Sequence, residues 1–187
     1  KCVIPNTVTF ICCLKACGRL GALNKGLQVH AVIEKCGLLE TDIIIGNTLI
    51  DMYVKCASLM KSQDVFHRLP FRDVVTWNVL IKAYIEHGLC GEVLKCLKLM
   101  ELEGVHPDSV TYVYSLKACG STADVHNAQK LHAEINKNIL SENCVSVGSA
   151  LADIYAKFGL LSELQQVVHE LPFQNIAMWN SLIFRYT

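Results

Sequence analysis

The chain has no C-x-x-C pair among its ten cysteines, no formal net charge, and no apolar run near the ~18 residues that a membrane span needs. Each absence removes a class of protein. Without C-x-x-C the cysteines lack the spacing of a zinc ribbon or a dithiol redox site. With 17 basic residues against 17 acidic ones there is no broad basic field to grip nucleic acid by charge alone, although spaced cations along one groove stay compatible. A Gly-rich phosphate loop, a nucleophile elbow and a paired-carboxylate site are also missing from the sequence, so nothing in it argues for an enzyme or a cofactor. The chain opens at Lys1 without a charged-then-apolar leader and stops at Thr187 inside a repeated unit, and so reads as a piece of a longer protein.

What is present is repetition. Residues 7–85 align with 109–187 at a constant offset of about 102, without a gap, and about 30 of about 79 positions are identical. LKAC at Leu14–Cys17 returns at Leu116–Cys119. IIIGNTLIDMY at Ile43–Tyr53 returns as VSVGSALADIY at Val145–Tyr155, and HRLPFRDVVTWNVLI at His67–Ile81 as HELPFQNIAMWNSLI at His169–Ile183. A unit recurring in register means a quasi-one-dimensional stack, each unit burying its apolar face against a neighbour. With 52% hydrophobic and 18% charged residues, the chain can fill such a core.

Gly and Pro cut the long period into smaller units. In 74–108 the apolar residues Val75, Val79, Ile81 (or Leu80), Ala83 and Tyr84 keep a helical spacing that ends at Gly88, and a second run ends at Gly104 before Pro107. The same helix–turn–helix reading applies to 7–42 and 109–144, which are longer, and to 43–73 and 145–175, which are shorter; 176–187 opens a further unit. The predicted fold is an all-α solenoid of helical hairpins, with the whole chain one array. Only Cys17 and Cys119 recur among the cysteines, which predicts buried, reduced thiols acting as small hydrophobes.

VVTWNVLIKAYIEHG…GVHPD resembles the standard unit of pentatricopeptide repeat proteins. The segment at 9–37 resembles the family's long variant and that at 43–73 its short variant. The order of the three is similar to that of the land-plant organelle subclass mixing standard, long and short repeats. The Trp–Leu–Gly–Tyr pattern of tetratricopeptide repeats is absent. The resemblance implies a right-handed superhelical stack that binds single-stranded RNA, about one base per repeat.

In the family, the fifth and last residues of a repeat select the base. This implies uracil for Asn47 with Asp73 and for Asn78 with Asp108, and adenine for Ser149 with Asn175; Asn180 has no partner in the chain. Ile11 with Asp42 and Val113 with Cys144 depart from the code and are assigned no base, giving N-U-U-N-A, where N is unspecified. An amide can offer donor and acceptor to a pyrimidine edge, and an acidic last residue can orient it. The second residues Ile44, Val75 and Val110 would sandwich bases, with Ser146 and Ala177 a poorer pair. Arg19, Lys55 and Lys157 would meet phosphates.

Several residues have a plainer reading. Asn47, Asn78, Ser149 and Asn180 could be helix caps, but they fall several residues inside the predicted helices. Trp77 and Trp179 are expected to pack in the core, and Asp51 and Asp153 to be surface or inter-repeat hydrogen-bonding groups. His132-Ala133-Glu134 spells the H-x-E of zinc deaminases, but no C-x-x-C follows, and its copy is His30-Ala31-Val32. The resemblance thus implies a non-catalytic site-recognition factor for RNA editing, modification or processing, in a mitochondrion or chloroplast. Any deaminase would lie elsewhere or come as a partner. Self-association through exposed repeat ends is a further expectation, and a protein–protein scaffold is the alternative function.

Overall fold

The computed structural model describes residues 6–138 and 145–170. Among these the secondary structure is entirely α-helical: α1 (Thr7–Leu20), α2 (Leu23–Lys35), α3 (Leu38–Thr41), α4 (Ile43–Lys55), α5 (Leu59–Arg68), α6 (Val74–Glu86), α7 (Cys90–Leu102), α8 (Ser109–Thr122), α9 (Val125–Asn138), α10 (Val145–Phe158) and α11 (Leu161–Glu170). The chain forms two compact units, Lys1–Gly88 and Leu89–Thr187.

In the first unit α4 is the central rod. It packs on α1 and α6 at its sides and on α2 and α5. A helix with neighbours on several sides must be apolar on several faces. Accordingly Ile45, Leu49, Ile50, Met52, Tyr53 and Val54 of α4 are all buried. Close approach selects glycine here: a Cβ at Gly46 would lie 2.6 Å from Leu69 Cδ2. In the second unit α8 holds the matching place, packed on α7, α9 and α10. Tyr112, Leu116 and Cys119 of α8 share its core with Leu131, Ile135, Leu151, Ile154, Tyr155 and Leu164.

The hairpin turns demand left-handed backbone. Gly21 takes it after α1 (φ 62°), and its amide and that of Ala22 bond back to Gly18 and Cys17 carbonyls. That pattern satisfies carbonyls the helix end leaves open. At the matching turn of the second unit the residue is Ala123, at φ 54°. The identity of the turn residue has drifted while its conformation has stayed.

A polar contact recurs at the eleventh residue of three first helices. The Tyr53 hydroxyl lies 2.7 Å from His30 Nδ1 on α2. Gln63 on α5 donates to the Tyr84 hydroxyl at 2.9 Å, and the Tyr155 hydroxyl lies 2.9 Å from His132 Nδ1 on α9. Each tyrosine thereby ties its helix to the second helix of the preceding hairpin. His30 and His132 are matched packing positions, and the H-x-E resemblance around His132 dissolves into this pattern.

His30 makes one testable consequence. Burial pulls its pKa below 6.5, against the opposing pull of Glu34, with Arg68 and Lys61 adding to the lowering. A depressed histidine contributes stability that is present above the unfolded pKa and is lost as pH falls through the folded one. The urea midpoint should therefore drop between about pH 7 and pH 5. His30→Asn, which keeps a polar side chain but cannot titrate, should flatten that drop. An unchanged pH profile in the variant would remove His30 from the account.

Val75 is exposed on α6, whose buried face is Thr76, Trp77, Asn78, Leu80, Ile81, Ala83 and Tyr84. Two sequence expectations need correction. Cys17, Cys90, Cys96 and Cys119 are buried, and burial raises the thiols of Cys96 to about 12 and Cys119 to about 11. Cys12, Cys13 and Cys36 are exposed instead, because Cys12 and Cys13 fall between the buried positions Phe10, Leu14 and Cys17 of α1. The first hairpin also carries the extra turn α3, capped at the left-handed Gly37, where two helices alone were expected.

Candidate functional site

Residues two, five, nine and thirteen of a helix fall on one face, since the steps of three and four match the helical period. In α4 these are Ile44, Asn47, Asp51 and Lys55, and all four follow an N-cap. Asp42 accepts from the amides of Ile44 (2.9 Å) and Ile45 (3.3 Å). Asp73 does the same for α6, accepting from the amide and hydroxyl of Thr76, both at 2.8 Å. Asp108 caps α8 through the Thr111 amide at 2.8 Å, with the Thr111 hydroxyl at 2.9 Å and a reciprocal bond to its own amide.

Asp73 and Asp108, expected to complete base-selecting pairs, are thus N-caps of α6 and α8. The fifth residues Asn47, Asn78 and Ser149 are not caps; they lie inside their helices.

The second residues form an exposed aliphatic series. Val8 is 64% exposed, Ile44 59%, Val75 51% and Val110 43%. Burying a branched aliphatic side chain is worth about 1.5–3 kcal/mol, so repeated exposure at one helix position needs a reason. Val8 was not among the expected residues. The signal for it was available, since it follows Thr7 as Ile44 follows Ile43.

Within the first unit these positions converge on an open groove of about 270 Å³. Ile44 and Val75 line it, and so do Asn47, Asp51 and Asp73, with Lys15 reaching it from α1. Asn47 Oδ1 is buried there and has no hydrogen-bond partner. Buried polar atoms are nearly always paired, so an orphan beside a groove marks a place where a ligand could complete the bonding.

The expected orienting bond from Asp73 to the Asn47 amide is not formed. Asp73 Oδ1 faces the N-terminus of α6 as its cap, and Oδ2 takes part in neither capping bond. Asn78, at the matching place on α6, is buried, and Ser149 on α10 is half-buried. Asn175, Asn180, Cys144, Ala177 and Trp179 lie outside the described residues.

The expected phosphate contacts differ in state. Arg19 is exposed near the end of α1. Lys55 Nζ lies 2.6 Å from Asp51 Oδ2, which also answers the question left by Asp51: it pairs within its own helix. Lys157 donates to the carbonyl of Gly120. Among the described residues no cluster of His, Cys, Asp and Glu is suited to a metal ion.

Replacing Asp73 with alanine should cost about 0.5–2 kcal/mol through loss of the α6 cap, while Asp73→Asn should cost little, since asparagine caps as well as aspartate. Urea denaturation of the two variants measures the difference. Equal stability of both would show that the cap contributes nothing.

Stacked helical hairpins, whose first helices α4, α6 and α8 carry aspartate-capped N-termini and exposed aliphatics, define an α-helical repeat protein. The model of the PPR repeat family matches residues 72–121. The pentatricopeptide repeat-containing protein At4g18520, chloroplastic, of Arabidopsis thaliana is 38% identical over 184 residues, covering 98% of this chain and 30% of the relative. At3g57430, chloroplastic, of the same plant is 33% identical over 181 residues, covering 96% and 20%.

Maize PPR10 superposes with a TM-score of 0.71 at 21% identity, over 97% of this chain and 27% of that one. A cysteine-substituted PPR10 in complex with an 18-nt psaJ RNA element superposes at 0.75 and 20% identity, over 98% and 27%. The chain carries a match to the PPR repeat family and is similar over nearly its whole length to pentatricopeptide repeat-containing proteins, spanning about a fifth to a third of the length of those relatives.

Proposed function

We propose that the chain binds single-stranded RNA sequence-specifically in a plant organelle, as a site-recognition factor for RNA editing, modification or processing. It belongs on this reading to the subclass that mixes standard, long and short repeats, and it contributes recognition rather than catalysis. The observation that carries the proposal is the groove of the first unit: the buried, unpartnered amide oxygen of Asn47 in a lining that includes two exposed aliphatics, Ile44 and Val75.

A nucleobase has the chemistry to fill it. Its edge offers a donor and an acceptor to the amide, and its faces need apolar surfaces on either side. The RNA present in the PPR10 complex and the chloroplastic names of the relatives support the same direction. The unit bounds 7–42, 43–73, 74–108, 109–144, 145–175 and 176–187 then give the reading N-U-U-N-A in register with the strand.

Titration of labelled RNAs with the whole chain tests this. The expected result is tighter binding to N-U-U-N-A than to a scrambled oligonucleotide of the same composition. Equal binding to both would favour a general protein scaffold.

A further inference from the structure

The groove in the first unit is lined by two carboxylates, Asp51 and Asp73, and by one cation, Lys15, among the described residues. A strand carrying a charge on every phosphate needs compensation to enter such a place. Lys55 is occupied by Asp51 on its own helix. Lys157, its counterpart in the second unit, is occupied by the Gly120 carbonyl.

Lys15 and Lys117 stand one turn earlier on the neighbouring helices α1 and α8, at matched positions of LKAC, and both are exposed. Neither has an ion pair among the described residues. Their helices pack against α4 and α10, the helices that carry Asn47 and Ser149.

We propose that Lys15 and Lys117, rather than Lys55 and Lys157, hold the phosphates of the bound strand. The assignment rests on the RNA-binding function proposed above. An exposed, unpaired ammonium can release a counterion when it meets a phosphate. A lysine already paired to a carboxylate or carbonyl must first break that contact, so its net gain is smaller.

The test is the salt dependence of affinity for a labelled oligouridylate, measured on the wild-type chain and on the double variants K15Q/K117Q and K55Q/K157Q. Each phosphate contact contributes about 0.7 to the slope of log affinity against log salt for a single strand. K15Q/K117Q should therefore flatten the slope by about 1.4 and weaken binding to every RNA alike. K55Q/K157Q should leave the slope close to that of the wild type, and circular dichroism should show all three chains equally folded. A full slope in K15Q/K117Q with normal wild-type binding would overturn this assignment alone. A wild-type chain that binds no RNA at low salt would overturn the RNA-binding reading and this assignment together.

Discussion

Trp77→Ala should lower the unfolding free energy by about 3–5 kcal/mol, the range for truncating a large aromatic in a packed core. Trp77 is 2% exposed. Its ring meets Phe66 of α5 nearly edge-on, with centroids 4.8 Å apart and planes at 72°. Arg72 also stands over the Phe66 ring, its guanidinium carbon 5.1 Å from the centroid. Removing the indole leaves a cavity between α5 and α6, and the neighbours can refill it only in part.

The indole also carries an uncompensated cost, because Nε1 is buried without a partner. Leaving a donor unsatisfied costs about 1–3 kcal/mol, and Trp77→Phe removes it. The phenylalanine variant should thus lose much less stability than the alanine variant. Denaturation followed by circular dichroism separates the two. A Trp77→Ala chain of normal stability that no longer bound RNA would make the ring a base platform, against its place in the core.

The second large effect concerns base choice. Asn47→Ser combined with Asp73→Asn should move the preferred base at the second position of N-U-U-N-A from uracil to adenine. A well-placed pair of contacts to a base edge discriminates by about 1–3 kcal/mol, or roughly 5- to 150-fold. The substitution is mechanically clean. Asparagine at 73 retains the α6 cap, and serine at 47 removes the orphaned amide without adding bulk to the groove. Competition between uracil- and adenine-bearing oligonucleotides measures the change. If affinity falls for both RNAs by the same factor, Asn47 supports the groove without reading the base.

Much of the fold was legible because periodicity and punctuation report on the backbone directly. Gly88 and Gly104 stand just past the ends of α6 and α7, both with positive φ, where their helical runs were expected to stop. Trp77 falls in the core for the same reason. The groove was legible only through the family resemblance. Hydrophobic pattern alone places Val75 in the helical run of α6 without saying which face of the helix it occupies. Exposure at Val8, Ile44, Val75 and Val110 is a tertiary fact, fixed by which face of each first helix its neighbours leave uncovered.

The capping bonds of Asp42, Asp73 and Asp108 were missed for a different reason. An aspartate three residues before Ile45, Thr76 or Thr111 fits an N-cap, but the same position is also the last residue of a repeat, and sequence alone does not separate the two. The difference between Lys15 and Lys55 depends on ion pairing across a helix surface. Lys55 has Asp51 four residues before it, which is a readable signal for pairing. No comparable signal says that Lys15, on another helix, borders the same groove as Asn47. The tyrosine bonds to His30, Gln63 and His132 likewise join residues 21 to 23 positions apart and become visible only when the hairpins stack.

Photo-crosslinking tests the central claim at the groove itself. An N-U-U-N-A oligonucleotide carrying 5-iodouridine at its second position would be bound to the whole chain, irradiated and digested, and the modified peptide mapped by mass spectrometry. The label is expected on residues of α4 around Ile44 and Asn47, or at the start of α6 around Asp73 and Val75. Labelling confined to the second helices α2 and α5, away from that groove, would contradict the account.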